Sequence, residues 1–244
     1  MKKSLAIAIL ILVTASFASA ALISVNFNGF TGGNPGPAQD GNLLEGPAGG
    51  LETTWNQYAD EDSTGVMVDS TGAPTTVTFT TNFSEGRYDG TGAPLTMLRA
   101  TLTDFARGLD NKDVTIAGLT AGGLYDVWLV SFRNQSPDAE RIVGWWSTAN
   151  TTTSARDQLV DTRGATLNNT TFVAGNNYAL FENVEADGSG QIVFSGVAGT
   201  LLDGSDNAYR HGLNGFQIAQ VPEPSALALV GLGIVAILLR RKFK

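Results

Sequence analysis

The chain has 244 residues and a formal charge of −8, and it contains no cysteine. Six of its 15 Lys and Arg, but one of its 23 Asp and Glu, lie in the two termini, so residues 21–220 carry a formal charge of −13. Phosphate backbones and anionic lipid repel so acidic a body, which argues against nucleic-acid binding. The lack of cysteine excludes thiol catalysis, cysteine-ligated zinc and a lipid attached at cysteine.

The N-terminus, residues 1–20, has the pattern of a secretory signal peptide. Lys2 and Lys3 precede an apolar run at 5–13, which is far shorter than the roughly 20 residues that span a membrane. Small residues then form the predicted cleavage site: Ala18, Ala20 and Ala21. We expect signal peptidase to cut after Ala20, so that the exported chain begins at Ala21.

Residues 21–220 predict one all-β domain, because short β-rich runs alternate with Gly, Asn, Asp and Pro. About 200 residues is an ordinary length for one sandwich or barrel. The predicted strands are 22–27, 75–83, 114–116, 125–132, 142–146, 178–184, 191–195 and 215–220. Glycines in "TAGG" before Tyr125 and in "ADGSG" before Gln191 are expected to supply positive-φ turns. We therefore predict a jelly-roll-like β-sandwich.

One segment of this body predicts a short helix instead. Its apolar residues recur at spacings of three and four: Leu95, Leu98, Leu102, Phe105 and Leu109. Pro94 suits the first turn of a helix and Gly108 suits its C-terminal end, although the threonines between them weaken it. Two further stretches, 32–50 and 147–171, are expected to be long surface loops.

Two acidic loops carry oxygen ligands of the kind that calcium prefers. In "DEDSTG", Asp60, Asp62 and Gly65 occupy positions one, three and six of a calcium loop, but Thr71 stands where an EF-hand has glutamate. The second loop, "DGSDN", offers three such groups: Asp203, Asp206 and Asn207. Calcium is the functional interpretation of both loops, and a plain Asx turn is the more ordinary one.

Four tryptophans are the side chains best able to stack on a sugar ring: Trp55, Trp128, Trp145 and Trp146. Trp145 and Trp146 are adjacent, so in a strand they point to opposite faces. We predict Trp55, Trp145 and Trp146 as ligand-binding residues. Packing in the core is the ordinary alternative for every one of the four.

The sequence offers no pattern that predicts an enzyme. His211 is the single histidine, and no Gly-x-Ser-x-Gly motif accompanies it, so it is interpreted as an exposed structural residue. Glu182 and Glu185 lie on or beside a predicted strand, and paired carboxylates of this kind can hydrolyse glycosides. A solvated acidic surface is the ordinary interpretation of both, and we predict no catalytic residue.

The C-terminus, residues 221–244, contains a short apolar segment at 226–239. Its 14 residues form a helix of about 21 Å, which is short for a hydrocarbon core of roughly 30 Å. The basic residues after it should stay cytoplasmic and hold the body outside. Pro222 and Pro224 cannot continue a helix, so they predict an extended, accessible joint outside the membrane.

This tail resembles the PEP-CTERM sorting signal of Gram-negative bacteria, which is also known as the ice-binding protein C-terminal domain. The resemblance rests on Val221, Pro222, Glu223, Pro224 and Ser225, then the apolar run, then Arg240, Arg241 and Lys242. It implies that an exosortase, a membrane transpeptidase, recognises Pro222-Glu223-Pro224, cuts the chain and transfers it to the cell surface or matrix. A simple membrane anchor after a proline-rich linker is the alternative.

The body resembles galactose-binding-like jelly rolls through "GLTAGGLYDVWLVSF" and "HGLNGFQIAQV". With the tail, this predicts an exported, exosortase-processed surface or extracellular-matrix protein with a structural, adhesive or carbohydrate-binding role. Its expected partners are signal peptidase, exosortase, the inner membrane through the tail, and extracellular polysaccharide. The alternative is a glycan-active hydrolase that uses paired carboxylates on the same fold.

Overall fold

Strands make up the regular structure of the part of the chain that the computed structural model describes. The described residues are 21–27, 44–48, 51–52, 54–58, 66–83, 85–88, 100–103, 112–131, 142–147, 158–161, 171–198 and 212–222. Residues Ala21–Gln220 group into one compact unit. The strands are β1 (Leu22–Phe27), β2 (Leu44–Glu45), β3 (Leu51–Glu52), β4 (Asn56–Tyr58), β5 (Thr78–Thr81), β6 (Glu85–Tyr88), β7 (Ala100–Thr103), β8 (Lys112–Ala117), β9 (Leu124–Val130), β10 (Ile142–Ser147), β11 (Gln158–Asp161), β12 (Tyr178–Glu185), β13 (Ile192–Ala198), β14 (Gly212–Leu213) and β15 (Gly215–Gln220).

Two five-stranded sheets contain most of these strands. The first sheet has the order β12-β9-β15-β1-β4, and the second has the order β11-β10-β13-β8-β5. Pairing is antiparallel throughout both sheets except between β1 and β4, which are parallel. A three-stranded sheet, β14-β7-β6, and the hairpin β2-β3 complete the described pairings. From β8 to β13 the chain passes back and forth between the two large sheets.

One apolar core joins the two large sheets. The ring of Phe79 on β5 lies 5.4 Å from that of Phe27 on β1 and 5.7 Å from that of Phe216 on β15, both edge-on. A second contact across the sheets places the rings of Phe181 and Phe194 4.9 Å apart. Because aromatic pairs prefer such offset or edge-on geometry, these contacts stabilise the packing beyond the area that they bury. The two sheets therefore pack face to face, as an all-β chain requires.

The eight strands predicted from the sequence all correspond to observed strands, and β1 and β15 have the predicted bounds. The two predicted glycine turns are also confirmed. Gly122 precedes β9 with φ of 72°, and Gly190 precedes β13 with φ of 73°. In both turns the following strand returns through the core, because positive φ lets the backbone reverse direction within a few residues. The jelly-roll connectivity remains a prediction.

The predicted short helix is wrong where the structure describes it, since Ala100–Thr103, which includes Leu102, forms strand β7. The β-branched residues Thr101 and Thr103 alternate along this strand, and their preference for extended backbone wins over the apolar spacing. Leu95, Leu98, Phe105 and Leu109 lie outside the described residues. The predicted surface loops also contain regular structure: β2 lies within 32–50 and β11 within 147–171.

The predicted membrane segments lie outside the described residues, as do both the signal peptide and the apolar run at 226–239. Within the ranges that are described, no helix has the length and hydropathy needed to cross a bilayer.

Candidate functional site

The outer face of the first sheet carries polar side chains that are buried. The core-facing residues of β1 are Ile23, Val25 and Phe27. Because strand side chains alternate, Ser24 and Asn26 lie on the opposite, outer face. Gln217 of β15 lies directly opposite Ser24 in the ladder. All three polar residues are 0% exposed, and together they are named the polar row.

Gln217 connects the polar row to the tip of the β2–β3 hairpin. Its Nε2 donates a hydrogen bond of 2.9 Å to Oγ of Ser24, and its Oε1 accepts one of 2.9 Å from the backbone N–H of Ala48. A Cβ atom on Gly46 would lie within 3.0 Å of the Gln217 amide, closer than packed atoms tolerate. The hairpin tip, Gly46 to Ala48, therefore lies against the outer face of the first sheet at Gln217.

Asn26 differs from the rest of the polar row because its amide has no partner. Neither its Nδ2 nor its Oδ1 makes a hydrogen bond, although the side chain is 0% exposed. Its neighbours in the sheet are Gly215 on β15, which has no side chain, and Gln57 on β4. Within the described part of the chain, it is the one buried side chain with polar atoms that lack a partner.

Two other buried asparagines, Asn56 and Asn177, have hydrogen-bond partners for their side-chain amides. Asn56 donates to the carbonyl oxygens of Ser24 (3.0 Å) and Val68 (2.8 Å) and accepts from the N–H of Val68 at 2.8 Å. Asn177 donates to the carbonyl of Thr171 at 2.7 Å and accepts from the N–H of Val173 at 2.9 Å. Both amides therefore use donor and acceptor together, as buried polar groups ordinarily do.

Trp128 lies on the same outer face as the polar row. It pairs with Gln217 across β9 and β15, and it is half-buried. Trp55 is 7% exposed and precedes β4. Trp145 and Trp146 lie in β10, opposite Gly196 and Ser195 of β13. The ligand-binding role predicted for Trp55, Trp145 and Trp146 remains a prediction, and Trp128 is the tryptophan next to the polar row.

The polar row was not predicted from the sequence, although the alternation of its residues is visible there. The alternation in "LISVNF" and in "GFQIAQ" puts Ser24, Asn26 and Gln217 opposite the apolar residues of two predicted strands. Such alternation ordinarily indicates a solvated outer face. The hairpin tip contacts this face at Gln217. Ala48 lies 169 residues away from Gln217 in sequence, so short-range patterns do not contain that contact.

Two exposed turns share a hydrogen-bond pattern that was not predicted from the sequence: an aspartate Oδ1 accepts from the residues two and four positions later. Oδ1 of Asp69 accepts from the N–H (2.8 Å) and hydroxyl (2.6 Å) of Thr71 and from the N–H of Ala73 at 3.0 Å. Oδ1 of Asp187 accepts in the same way from Ser189 and Gln191. The pattern Asp-x-Ser/Thr-Gly at 69–72 and 187–190 identifies both turns, and it also occurs at 62–65 and 89–92, outside the described residues.

These hydrogen bonds lower the pKa of both carboxyl groups below the ordinary value of 3.8. The largest cause is the hydroxyl of Thr71 for Asp69 and that of Ser189 for Asp187, and backbone N–H groups add to it. A carboxylate that accepts several hydrogen bonds is favoured in its ionised form. Oδ1 of each carboxylate already accepts hydrogen bonds within its own turn, so we interpret both aspartates as residues that stabilise these turns.

The predicted calcium ligands, Asp60, Asp62, Asp203, Asp206 and Asn207, lie outside the described residues, as does His211. Calcium binding therefore remains a prediction for these loops. Among the residues that are described, no three acidic or histidine side chains are grouped so that they could hold a metal ion. Glu182 and Glu185 lie exposed on β12, the edge strand of the first sheet.

The C-terminal joint begins where the last strand ends. β15 lies in the middle of the first sheet and ends at Gln220, which pairs with Tyr125 of β9. Val221 is half-buried and Pro222 is exposed, and neither belongs to a strand. Ala219 pairs with Leu22, so the start of β1 and the end of β15 are neighbours at one end of the sheet. Glu223, Pro224 and Ser225 and the basic residues Arg240, Arg241 and Lys242 lie outside the described residues.

Comparison with solved structures gives distant matches to the body. The ANXUR2 extracellular domain from Arabidopsis thaliana is 15% identical with a TM-score of 0.49, and the match covers 83% of this chain and 50% of that one. The ANX2 ectodomain from the same plant is 15% identical with a TM-score of 0.47, covering 83% and 51%. TmCBM61 in complex with β-1,4-galactotriose is 10% identical with a TM-score of 0.30, covering 59% and 82%. The chain thus spans about half the length of the ANX ectodomains that it matches.

The C-terminal tail gives the informative sequence match. Comparison with curated protein sequences finds no match for this chain. Residues 220–242, however, match the PEP-CTERM protein-sorting motif, as the resemblance of the tail predicted. The matched segment begins at the last residue of β15 and includes the Pro222-Glu223-Pro224 sequence and the basic residues from Arg240 to Lys242. The chain carries the sorting motif of an exported protein.

Proposed function

We propose that this protein is an exported surface or extracellular-matrix protein that an exosortase releases from a membrane-held precursor, and that its body binds neutral carbohydrate without catalysis. The position of the sorting motif is the observation that supports release by an exosortase. It starts at residue 220, where β15 ends, so a cut beyond Gln220 removes no strand from either large sheet. The released body keeps every described pairing.

The chemistry of the joint supports processing at this position. Proline has no backbone N–H and disfavours helical backbone in the preceding residue, so Pro222 and Pro224 keep the chain extended. An extended segment fits an enzyme groove, and the exposed side chain of Pro222 is accessible to one. The short apolar run at 226–239 then holds the precursor in the inner membrane while the exosortase acts.

Replacement of Pro222, Glu223 and Pro224 by alanine tests the release step. In a Gram-negative host with an exosortase, the unaltered chain should lose the segment beyond the motif, and the triple variant should remain full-length in the inner membrane. C-terminal mass spectrometry of both proteins measures this. The same host without exosortase is the control and should retain both proteins in full. Mature surface protein that still ends at Lys244 in the first host would contradict release and favour a permanent anchor.

The N-terminal step has a similar test. We propose that signal peptidase cuts between Ala20 and Ala21, because small residues surround this bond and Ala21 is exposed directly before β1. N-terminal sequencing of exported protein should give Ala21 as the first residue. A start inside β1 would be incompatible with the proposal, since it would remove part of a central strand of the first sheet.

The half-buried Trp128 and the unpaired amide of Asn26, which lie on the same outer face, support carbohydrate binding by the body. A sugar presents hydroxyl groups and an apolar C–H face, and side-chain amides next to an aromatic ring complement both. A polymer is the form of carbohydrate that a matrix protein meets. For the proposal that the body is not an enzyme, the measurement is release of reducing ends from varied polysaccharides. Activity that disappears on substitution of a single Asp or Glu would overturn it in favour of a hydrolase with paired carboxylates.

A further inference from the structure

We propose that the amide of Asn26 is a ligand-binding group that contacts two adjacent hydroxyls of a neutral sugar at the outer face of the first sheet. The inference rests on the proposed carbohydrate-binding function and deepens it by naming the group that makes the contact. It is carried by the buried amide that lacks both of its hydrogen-bond partners. The ligand is identified by the chemistry that satisfies this amide.

Leaving the amide of Asn26 unpaired reduces the stability of the fold. A buried donor or acceptor without a partner costs about 1–3 kcal/mol of stability, because it has lost its hydrogen bonds to water. Asn26 has one such donor group and one such acceptor, and its side chain is 0% exposed. Asn56, Asn177 and Gln217 have protein partners on both sides of the amide. The fold therefore bears a free-energy penalty at Asn26 that it avoids at these other buried amides. A ligand that hydrogen-bonds the amide would remove this penalty.

Neither neighbour of Asn26 in the sheet is a hydrogen-bond partner of its amide. Gly215, its partner on β15, has no side chain that could pair with the amide. Gln57, its partner on β4, is half-buried at the edge strand and has an interaction of its own. Both strands beside Asn26 thus leave its amide without a partner, so a ligand that satisfies it would have to approach from the outer face of the sheet.

The chemistry of the amide and the charge of the body favour one class of ligand. A carboxamide presents a donor and an acceptor side by side, and two adjacent hydroxyls match this pair, since each hydroxyl both donates and accepts. The basic residues in the described ranges, Arg87 and Lys112, lie on β6 and β8, outside the first sheet. The body is strongly acidic, so an anionic polymer would be repelled. These charges favour a neutral sugar.

The proposed site extends from Asn26 to Trp128 across the outer face of the first sheet. Asn26 and Trp128 lie on the same face, two strands and one two-residue step apart, which corresponds to about 12 Å between their Cα atoms. They would therefore contact different units of one oligosaccharide, with Gln217 between them. Because Asn26 is enclosed, a ligand has to displace part of the cover of this face. The hairpin tip at Gly46 to Ala48 covers this face at Gln217, where the N–H of Ala48 donates to Oε1.

The test compares two buried asparagines in the protein released by an exosortase-carrying host. Asn26→Leu replaces an unpaired amide by an apolar group of similar size, and Asn177→Leu, the matched control, removes an amide with two hydrogen bonds. Binding is measured by affinity electrophoresis with dextran, β-1,4-galactan and mannan, with polygalacturonate as the anionic comparison. Thermal unfolding without ligand is measured for every variant.

For the unaltered protein we expect binding to at least one neutral polysaccharide and none to polygalacturonate. Asn26→Leu should weaken that binding at least tenfold and leave the melting temperature unchanged or raised, because it removes an unpaired buried amide. Asn177→Leu should lower the melting temperature and leave the affinity unchanged.

Two results would overturn the inference, and they are distinguishable. If the unaltered protein binds a neutral polysaccharide and Asn26→Leu binds it equally well, carbohydrate binding stands and Asn26 is not part of it. A lowered melting temperature of Asn26→Leu in that case would mean that the amide stabilises the unliganded fold, as it would through an ordered water. If the unaltered protein binds none of the polysaccharides, the proposed function fails and the inference fails with it.

Discussion

The outer faces of the two large sheets differ in how they treat polar side chains. On the second sheet, Thr78 and Thr80 of β5 are exposed and Thr115 of β8 is half-buried, while the buried Ser195 of β13 donates its hydroxyl to Asp113. On the first sheet, Ser24, Asn26 and Gln217 are completely buried. A polar group in water needs no protein partner, whereas a buried one does. The buried polar side chains described on both faces have hydrogen-bond partners except Asn26, so the two faces differ most at that residue.

The largest expected effect belongs to the core that both faces share. Phe79→Ala removes a ring that packs edge-on against Phe27, Tyr58 and Phe216. It should reduce the free energy of unfolding by about 3–5 kcal/mol, as other large-to-small changes of buried phenylalanine do. Thr80→Ala, one residue further on the exposed face, is the control and should change it by less than about 0.5 kcal/mol. Urea denaturation measures both, and similar losses would contradict the assignment of faces.

The next effect tests whether the polar row is built into the fold. Gln217→Ala removes the bond to Ser24 and leaves the N–H of Ala48 without this acceptor. We expect a loss of about 2 kcal/mol in the free energy of unfolding, because an unsatisfied buried group costs more than an exposed bond contributes. Thr115→Ala, on the outer face of the second sheet, is the matched substitution and should have little effect. Equal effects would mean that the two outer faces do not differ.

A smaller effect should come from the hairpin tip. Gly46→Ala adds a Cβ that overlaps the Gln217 amide, so that either the tip or the amide has to move. We expect a loss of about 1 kcal/mol, at the low end for overpacking, because the tip can shift as a unit. Gly188→Ala is the control, since a Cβ there meets nothing within 4 Å. Denaturation curves that coincide for the two variants would show that the tip does not pack against Gln217 in solution.

The smallest effect distinguishes the turns from both faces. The pKa of Asp187 is lowered by the hydroxyl of Ser189 and by backbone N–H groups. Because the folded pKa is depressed, the ionised group stabilises the fold above its ordinary pKa of 3.8, and this contribution is lost as pH falls through the folded pKa. Asp187→Asn should therefore weaken the dependence of stability on pH below about pH 4. Unfolding measured from pH 6 to pH 2 tests this, with Glu182→Gln as the exposed control. An unchanged acid dependence for Asp187→Asn would exclude the turn as its source.

Local patterns predicted the parts of the fold that local physics decides. Strands β1 and β15 have the predicted bounds because β-branched and apolar residues alternate between clear turn signals. Gly122 and Gly190 have the positive φ that their position between strands requires. The helix prediction was wrong at β7, because the β-branched Thr101 and Thr103 and the pairing with β6 and β14 both favour a strand over the helical spacing of the apolar residues.

The candidate site depends on contacts that no short window of sequence contains. Ser24 and Gln217 are 193 residues apart, and Ala48 and Gln217 are 169 apart. Alternation could predict which residues lie on the outer face, but it could not predict that this face would be covered or that one amide would lack a partner. The sorting motif was predictable because its function depends on a short linear sequence.

The pairing of Leu22 with Ala219 has a mechanical consequence. Both ends of the body leave the first sheet at the same end of two adjacent antiparallel strands, so a force that separates the two ends would open the β1–β15 ladder one hydrogen bond at a time. Opening bonds in sequence needs less force than shearing all of them together. The body is therefore weakest against a pull between its two termini.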